Sequence, residues 1–197
     1  MDLTTTQLME ILLSLALGIG LSAACGFRIF VPFLAMSIAA QSGHLTLADG
    51  WAWIGSVPAL VAFGVAACVE IGAYYVPWLD NLLDTIATPV AVVAGIIATA
   101  AVVSGMSPLL TWTLAVIAGG GAAGVMQTGT VLLRAMSSTT TLGAGNFVVA
   151  TGEATGAVAF SLLAFLLPII TLLLVLQLVI WIWRRSRTKP SVALKQP

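Results

Sequence analysis

Four charged side chains interrupt stretches that are otherwise apolar for tens of residues: Arg28, Glu70, Arg134 and Glu153. An ionised group at the centre of a bilayer costs at least about 2.5–3.5 kcal/mol. Each therefore demands a partner, whether an opposite charge, water or a backbone dipole. Two arginines and two glutamates sum to zero, which allows two buried ion pairs, Arg28 with Glu70 and Arg134 with Glu153. Such pairs stabilise little, because desolvation offsets their attraction, although they hold helices in register. The same four groups also suit a polar pathway. Guanidinium forks match carboxylate and phosphate oxygens, and a desolvated glutamate can carry a coupling proton. Arg28, between Gly26 and Pro32, suits a broken helix near mid-membrane. Arg134, near the end of its apolar stretch, has snorkelling to the interface as an alternative.

Further polar residues fall in or near the same stretches. Ser22, Gln127 and Asn146 join the candidate pathway, while Thr128, Thr130, Thr151 and Thr155 read as hydroxyls that bond back to helix backbone. Asn146 follows Gly143-Ala144-Gly145, where irregular backbone is tolerated only against protein or a wet cavity. Asp80 and Asp84, four apart, share a helix face. They read as solvated interface residues, with a secondary acidic site as the alternative.

The composition excludes a soluble protein. Hydrophobic residues make up 60% of the 197 and charged ones 7%, against about a quarter charged in a soluble domain. Mean hydropathy is +1.12. Zero net charge with seven basic residues leaves no stripe for nucleic acid. Cys25 and Cys68 both sit in apolar stretches and read as packed thiols. With no CxxC pair and His44 as the single histidine, in a predicted loop, no metal site is expected. Neither HExxH nor Gly-x-Ser-x-Gly occurs, so no catalytic residue, cofactor or enzyme activity is predicted.

The elements that must position the charges are membrane helices of about 20 residues each. The first apolar stretch, Gln7 to Ala40, is too long for one upright crossing and contains Gly18, Gly20, Gly26 and Pro32 as breakers. A polar loop, Gln41 to Gly50, leads to the interfacial pair Trp51 and Trp53. Further spans are expected over Ile54–Tyr75, Ala87–Val103 and Leu109–Met136. Leu142 to Trp183 holds two more, divided near Pro168. The expectation is an all-α polytopic bundle of about six spans, one domain over 1–187, with 188–197 as a disordered tail. Arg184, Arg185, Arg187, Lys189 and Lys195 put that tail in the cytoplasm of a bacterial-type inner membrane. An even span count puts the amino terminus there too, a parity that fails if a glycine-rich stretch is a re-entrant hairpin.

Offset by 100 positions, Gly20, Ala23, Val31, Ala35, Met36 and Ser37 meet Gly120, Ala123, Val131, Ala135, Met136 and Ser137. The order arginine stretch, glutamate helix, apolar helix also occurs twice, over 7–104 and 108–185. Three spans per half inverts one half against the other, with the first and fourth helices broken, which is a transporter layout.

The segment Gly20-Leu21-Ser22-Ala23-Ala24-Cys25-Gly26-Phe27-Arg28-Ile29-Phe30-Val31-Pro32-Phe33-Leu34 resembles the opening of a bacterial integral-membrane family known only as a domain of unknown function, with plant relatives. The Gly152-Glu153 region is compatible with it. The resemblance covers most of the chain to about Trp183 and implies no activity. The layout is also similar to that of small lipid-carrier flippases, by architecture alone. The leading expectation is a small inverted-repeat translocase for an anionic or headgroup-bearing solute, proton-coupled, among membrane lipids and assembled as a homodimer or higher homo-oligomer. Arg28 and Arg134 would meet the substrate, and Glu70 and Glu153 would serve as charge partners or proton carriers. The rivals are a structural or accessory protein with closed ion pairs, an ion channel, and a lipid-carrier flippase.

Overall fold

A computed structural model describes residues 4–187; the side chains of residues 77, 78, 80–82, 84, 85, 183 and 185–187 are outside the description. The acidic pair Asp80 and Asp84 and the tail over 188–197 therefore lie outside what is described. Among the described residues there are seven helices and no strand. These are α1 (Thr5–Cys25), α2 (Phe30–Gln41), α3 (Val57–Ala73), α4 (Pro77–Val102), α5 (Pro108–Thr141), α6 (Asn146–Leu166) and α7 (Pro168–Arg187). A short 3-10 turn, Ala52–Gly55, precedes α3.

Local chemistry sets the boundaries. Thr4 and Gln7 form a reciprocal capping box at the start of α1, and the Ser56 hydroxyl accepts from the Ala59 N–H to start α3. Pro77, Pro108 and Pro168 each open a helix, where a missing N–H costs nothing. Leu142 (φ 54°) and Gly143 (φ 89°) close α5 in the left-handed region.

The first apolar stretch divides into two helices, and it does so once. Gly18 and Gly20 lie inside continuous α1, and the chain breaks only over Gly26–Ile29. The second glycine cluster does not break its helix, against expectation. α5 runs through Gly119, Gly120 and Gly121, accommodating them with a π-helical turn over Ala115–Gly120. Packing explains this. A side chain at Gly119 would collide with Thr99, so the glycines admit α4 at close range rather than loosening α5.

Contacts along the helices fix their directions. Ala40 meets Gly55, Leu34 faces Gly64, and Glu70 meets Ile29 and Phe30, so α2 and α3 are antiparallel. Gly18 faces Thr99 and Val102 while Ser22 bonds the Gly95 carbonyl, so α1 and α4 are antiparallel. The Ala48 N–H reaches the Ala101 carbonyl, which returns the end of α2 to the level of Gly18. α2 thus folds back alongside α1. Gly20 packs against both Ala164 and Thr171, either side of the α6–α7 turn, while Phe27 reaches Gly156 on α6. Successive helices therefore alternate in direction, and Thr5 and Arg187 lie toward opposite ends of the bundle. An even count of passes would have brought them to the same end.

α1 is the core of the bundle, buried from Gly18 through Cys25. Gly26 ends it where α5 comes closest. A Cβ there would lie 2.5 Å from Met126 Cβ and 2.6 Å from the Ala123 oxygen. The outer faces are apolar. Val57, Val61, Val65 and Val69 form an exposed stripe down α3 at four-residue spacing. α1, α5 and α6 are long and apolar enough to cross a membrane, while α2, α3, Ile86–Val102 of α4 and Pro168–Ile182 of α7 are shorter apolar helices. Cys25 is a packed thiol, but Cys68 is exposed on α3 rather than buried.

Candidate functional site

The break between α1 and α2 frees main-chain N–H groups that no helix turn satisfies. Glu70, three residues before the end of α3, supplies the acceptor. Its Oε1 takes the Ile29 N–H at 2.7 Å and its Oε2 the Phe30 N–H at 3.0 Å. A carboxylate at a helix N-terminus is also favoured by the helix dipole. The expected Arg28–Glu70 ion pair is therefore not the one formed, because both Glu70 oxygens answer backbone donors.

Arg28 turns instead to Glu153. Its Nη2 is 3.1 Å from Glu153 Oε2 and donates to the Ala150 carbonyl at 3.1 Å. Arg134 grips the same carboxylate from α5, with Nε donating to Oε1 at 2.8 Å and Nη2 donating to Oε2. The Arg134–Glu153 pair is the one expected. Arg134 is buried at 4% exposure and does not snorkel. Two guanidiniums thus share one carboxylate.

Tyr74 closes the cluster. The Arg28 Cζ lies 3.9 Å and the Arg134 Cζ 4.1 Å from its ring centroid, within cation–π range. Arg28 is 1% exposed, Glu153 4% and Tyr74 8%, so the cluster is closed to bulk solvent. One polar atom of the cluster, Arg28 Nε, is buried with no hydrogen-bond partner. A buried guanidinium donor left open in this way is costly. By sequence, Tyr74 at the exit of the second apolar stretch looks like one of an interfacial group of aromatics with Tyr75 and Trp78. The signal that would have found it is its place four residues after Glu70, on the same helical face.

Beside the cluster is a cavity of about 280 Å³ whose wall includes Ile29, Phe30, Glu70 and Tyr74. Tyr74 therefore faces the cavity and carries the two arginines. A larger groove of about 1060 Å³ runs between α5 and α7, with Gly121, Gly124, Leu178 and Trp181 in its lining. It contains none of the four charged residues.

The remaining candidates have other work. Ser22 Oγ donates to the Gly95 carbonyl at 2.5 Å and lies 2.7 Å from Thr99 Oγ1, joining α1 to α4. Asn146 exchanges hydrogen bonds with Ser138 across the α5–α6 turn, Nδ2 donating to Oγ at 3.0 Å. Gln127 is buried on the α5 face that also presents Thr130 and Arg134. Thr128, Thr151 and Thr155 bond back to carbonyls four residues earlier. His44 is in an exposed loop against Ser42. Among the described residues no cluster of His, Cys, Asp or Glu is arranged to hold a metal ion.

A family model described as Domain of unknown function (DUF4126) matches residues 15–187, which takes in all four charged residues and Tyr74. No curated protein and no solved structure matches the chain.

Proposed function

The chain belongs to the DUF4126 family, a domain of unknown function, and on that premise we propose that it is a small membrane translocase for an anionic substrate. The observation that carries this is the convergence of Arg28 and Arg134 on one carboxylate, with Arg28 Nε left unpartnered. A purely structural pair needs one arginine per carboxylate. A second buried guanidinium on the same carboxylate adds desolvation cost, and two guanidinium forks converging on one pair of oxygens are the geometry that an anion site requires. In the present state Glu153 fills the clamp. A substrate anion takes its place, and one proton per monovalent anion keeps Arg28, Arg134, Glu70 and Glu153 neutral as a set.

The helix directions support an inverted arrangement in which α2–α3–α4 answers α5–α6–α7. The glutamate helices α3 and α6 run in opposite senses, as do α4 and α7. Trp51 and Trp53 mark one interface, and Trp181 and Arg184 the other. With these limits α1 and α2 form a re-entrant hairpin whose tip, at Gly26–Ile29, enters the hydrocarbon layer. The irregular backbone there is sheltered by protein, as a bilayer requires. With the basic tail cytoplasmic, the amino terminus then faces the opposite side. A bacterial inner membrane is the proposed location.

A second reading, a non-transporting structural protein, is favoured by the closure of the cluster at 1–4% exposure. The two separate in proteoliposomes carrying an internal pH dye. A translocase acidifies the lumen when an external anion is supplied with an inward proton gradient, at a rate above protein-free vesicles. Equal rates across a panel of carboxylates and phosphates would leave the structural reading.

A further inference from the structure

In an anion translocase the closed Glu153 cluster has to open, and on that reading we infer that the last turn of α3 is the clasp that opens it. Glu70 anchors the clasp, Gly72 is its hinge, and Tyr74 and Tyr75 are the parts that let go.

Among the elements around the cluster, α3 is the one with room to move. α1, which leads into Arg28, is buried from Gly18 through Cys25. α5 lies so close to it that a Cβ on Gly26 would collide with Met126. α6 meets α1 twice, at Gly20 against Ala164 and at Gly156 against Phe27. Helices packed this closely move only by displacing their neighbours. α3 is held differently. Of its 17 residues only Ala59 and Ala67 are buried, and Val57, Val61, Val65 and Val69 face outward. Toward α4, its C-terminal end borders the cavity of about 280 Å³, whose wall Glu70 and Tyr74 share with Ile86 and Val90. An element with few buried apolar contacts opens at the least cost.

The contacts that fasten this end are polar and aromatic. Both Glu70 oxygens accept from the N–H groups of Ile29 and Phe30. One turn later the Tyr74 ring lies against the guanidiniums of Arg28 and Arg134. The Tyr75 hydroxyl is 3.0 Å from Thr151 Oγ1, and its ring centroid is 4.8 Å from that of Phe147, so α6 is held as well. The stretch from Glu70 to Tyr75 thus ties the hairpin tip, α5 and α6 together. Gly72 lies between the anchor and the two tyrosines, and a Cβ there would meet nothing within 4 Å. Packing does not call for glycine at this position. Its effect is on the backbone, because glycine weakens a helix and the turn into α4 follows at once, with the Tyr75 and Val76 N–H groups donating to the Gly72 and Ala73 carbonyls. Rotation about Gly72 leaves Glu70 on the α2 terminus and withdraws the Tyr74 ring from the arginines, with the cavity as the space it moves into.

The test uses the full chain, in nanodiscs for hydrogen exchange and in proteoliposomes for transport. Gly72→Ala fills open space and favours the helix, so its unfolding midpoint is expected at or above that of wild type. Amide exchange at Tyr75 and Val76 is expected to be about tenfold faster than at Cys68 and Val69 in wild type, and to slow several-fold in Gly72→Ala. Thr151→Val, which removes the Tyr75 partner, is expected to speed it. Lumen acidification with acetate, benzoate or inorganic phosphate supplied outside is expected to fall about fivefold in Gly72→Ala, because the hinge is stiffened. A frayed turn with no part in opening would show the same exchange but leave the Gly72→Ala rate at that of wild type, which would overturn the clasp and leave the translocase standing. Equal exchange from Cys68 through Val76 in wild type would overturn the hinge. Background acidification by wild type with all three anions would overturn the translocase and, with it, any part for the clasp in transport.

Discussion

Glu70 and Glu153 sit alike in the sequence, each near a glycine in the helix that follows an arginine-bearing stretch. The fold gives them different partners. Where the chain breaks, at Gly26–Ile29, backbone donors are exposed and Glu70 is drawn to them. Where α5 runs on unbroken through Arg134, its N–H groups are already bonded within the helix, so Glu153 has only side chains to answer. A helix break thus redirects a carboxylate from an arginine to the backbone. The arginine so deprived, Arg28, joins the other pair.

The sharpest way to break this comparison is at Glu153. Glu153→Ala strands two buried guanidiniums, and the expected loss is about 3–5 kcal/mol, read from thermal unfolding in nanodiscs without added ligand. A loss under about 1 kcal/mol would mean that water or another group already neutralises the arginines.

On the side of the break, Gly26→Ala places a methyl group against Met126 and the Ala123 carbonyl. Overpacking of this kind costs about 1–3 kcal/mol, measurable as a lower unfolding midpoint. A neutral result would show that α1 and α5 are further apart than the close contact requires.

Smaller still is Glu70→Gln. The amide oxygen still accepts from one of the two N–H groups, but the charge on the α2 terminus and one bond are lost. An expected cost of about 1–2 kcal/mol follows from cap removal. Hydrogen exchange should rise at Ile29 and Phe30 and stay unchanged in α6. Equal loosening around Glu153 would mean that the two carboxylates act as one unit.

Much of the layout was legible from residue types. The four charges, the apolar stretches between them, the split at Pro168 and the Arg134–Glu153 pair all follow from hydrophobic length and charge count. The return of α2 was not legible, because hydropathy reports how long an apolar stretch is and not which way it runs. The Gly119–Gly121 cluster misled for a related reason. Glycine permits a break and also permits close helix approach, and only the neighbour, here Thr99 on α4, decides between them. Tyr74 was hidden because an aromatic residue before a turn looks the same whether it faces headgroups or two guanidiniums. The destination of Arg28 depended on competition between its own backbone neighbours and its side chain for Glu70, which spacing alone does not rank.

Arg28→Gln removes the second guanidinium from the Glu153 carboxylate and leaves the Arg134–Glu153 contact in place. The decisive measurement is anion-dependent lumen acidification in proteoliposomes holding equal amounts of folded wild type and Arg28→Gln, with the anion that gives the largest wild-type rate above protein-free vesicles. Anion translocation predicts at least a tenfold lower rate for the variant with its unfolding midpoint nearly unchanged. Equal rates above background in the two proteins would contradict an anion site built on Arg28, and background rates in both would return the cluster to a structural role.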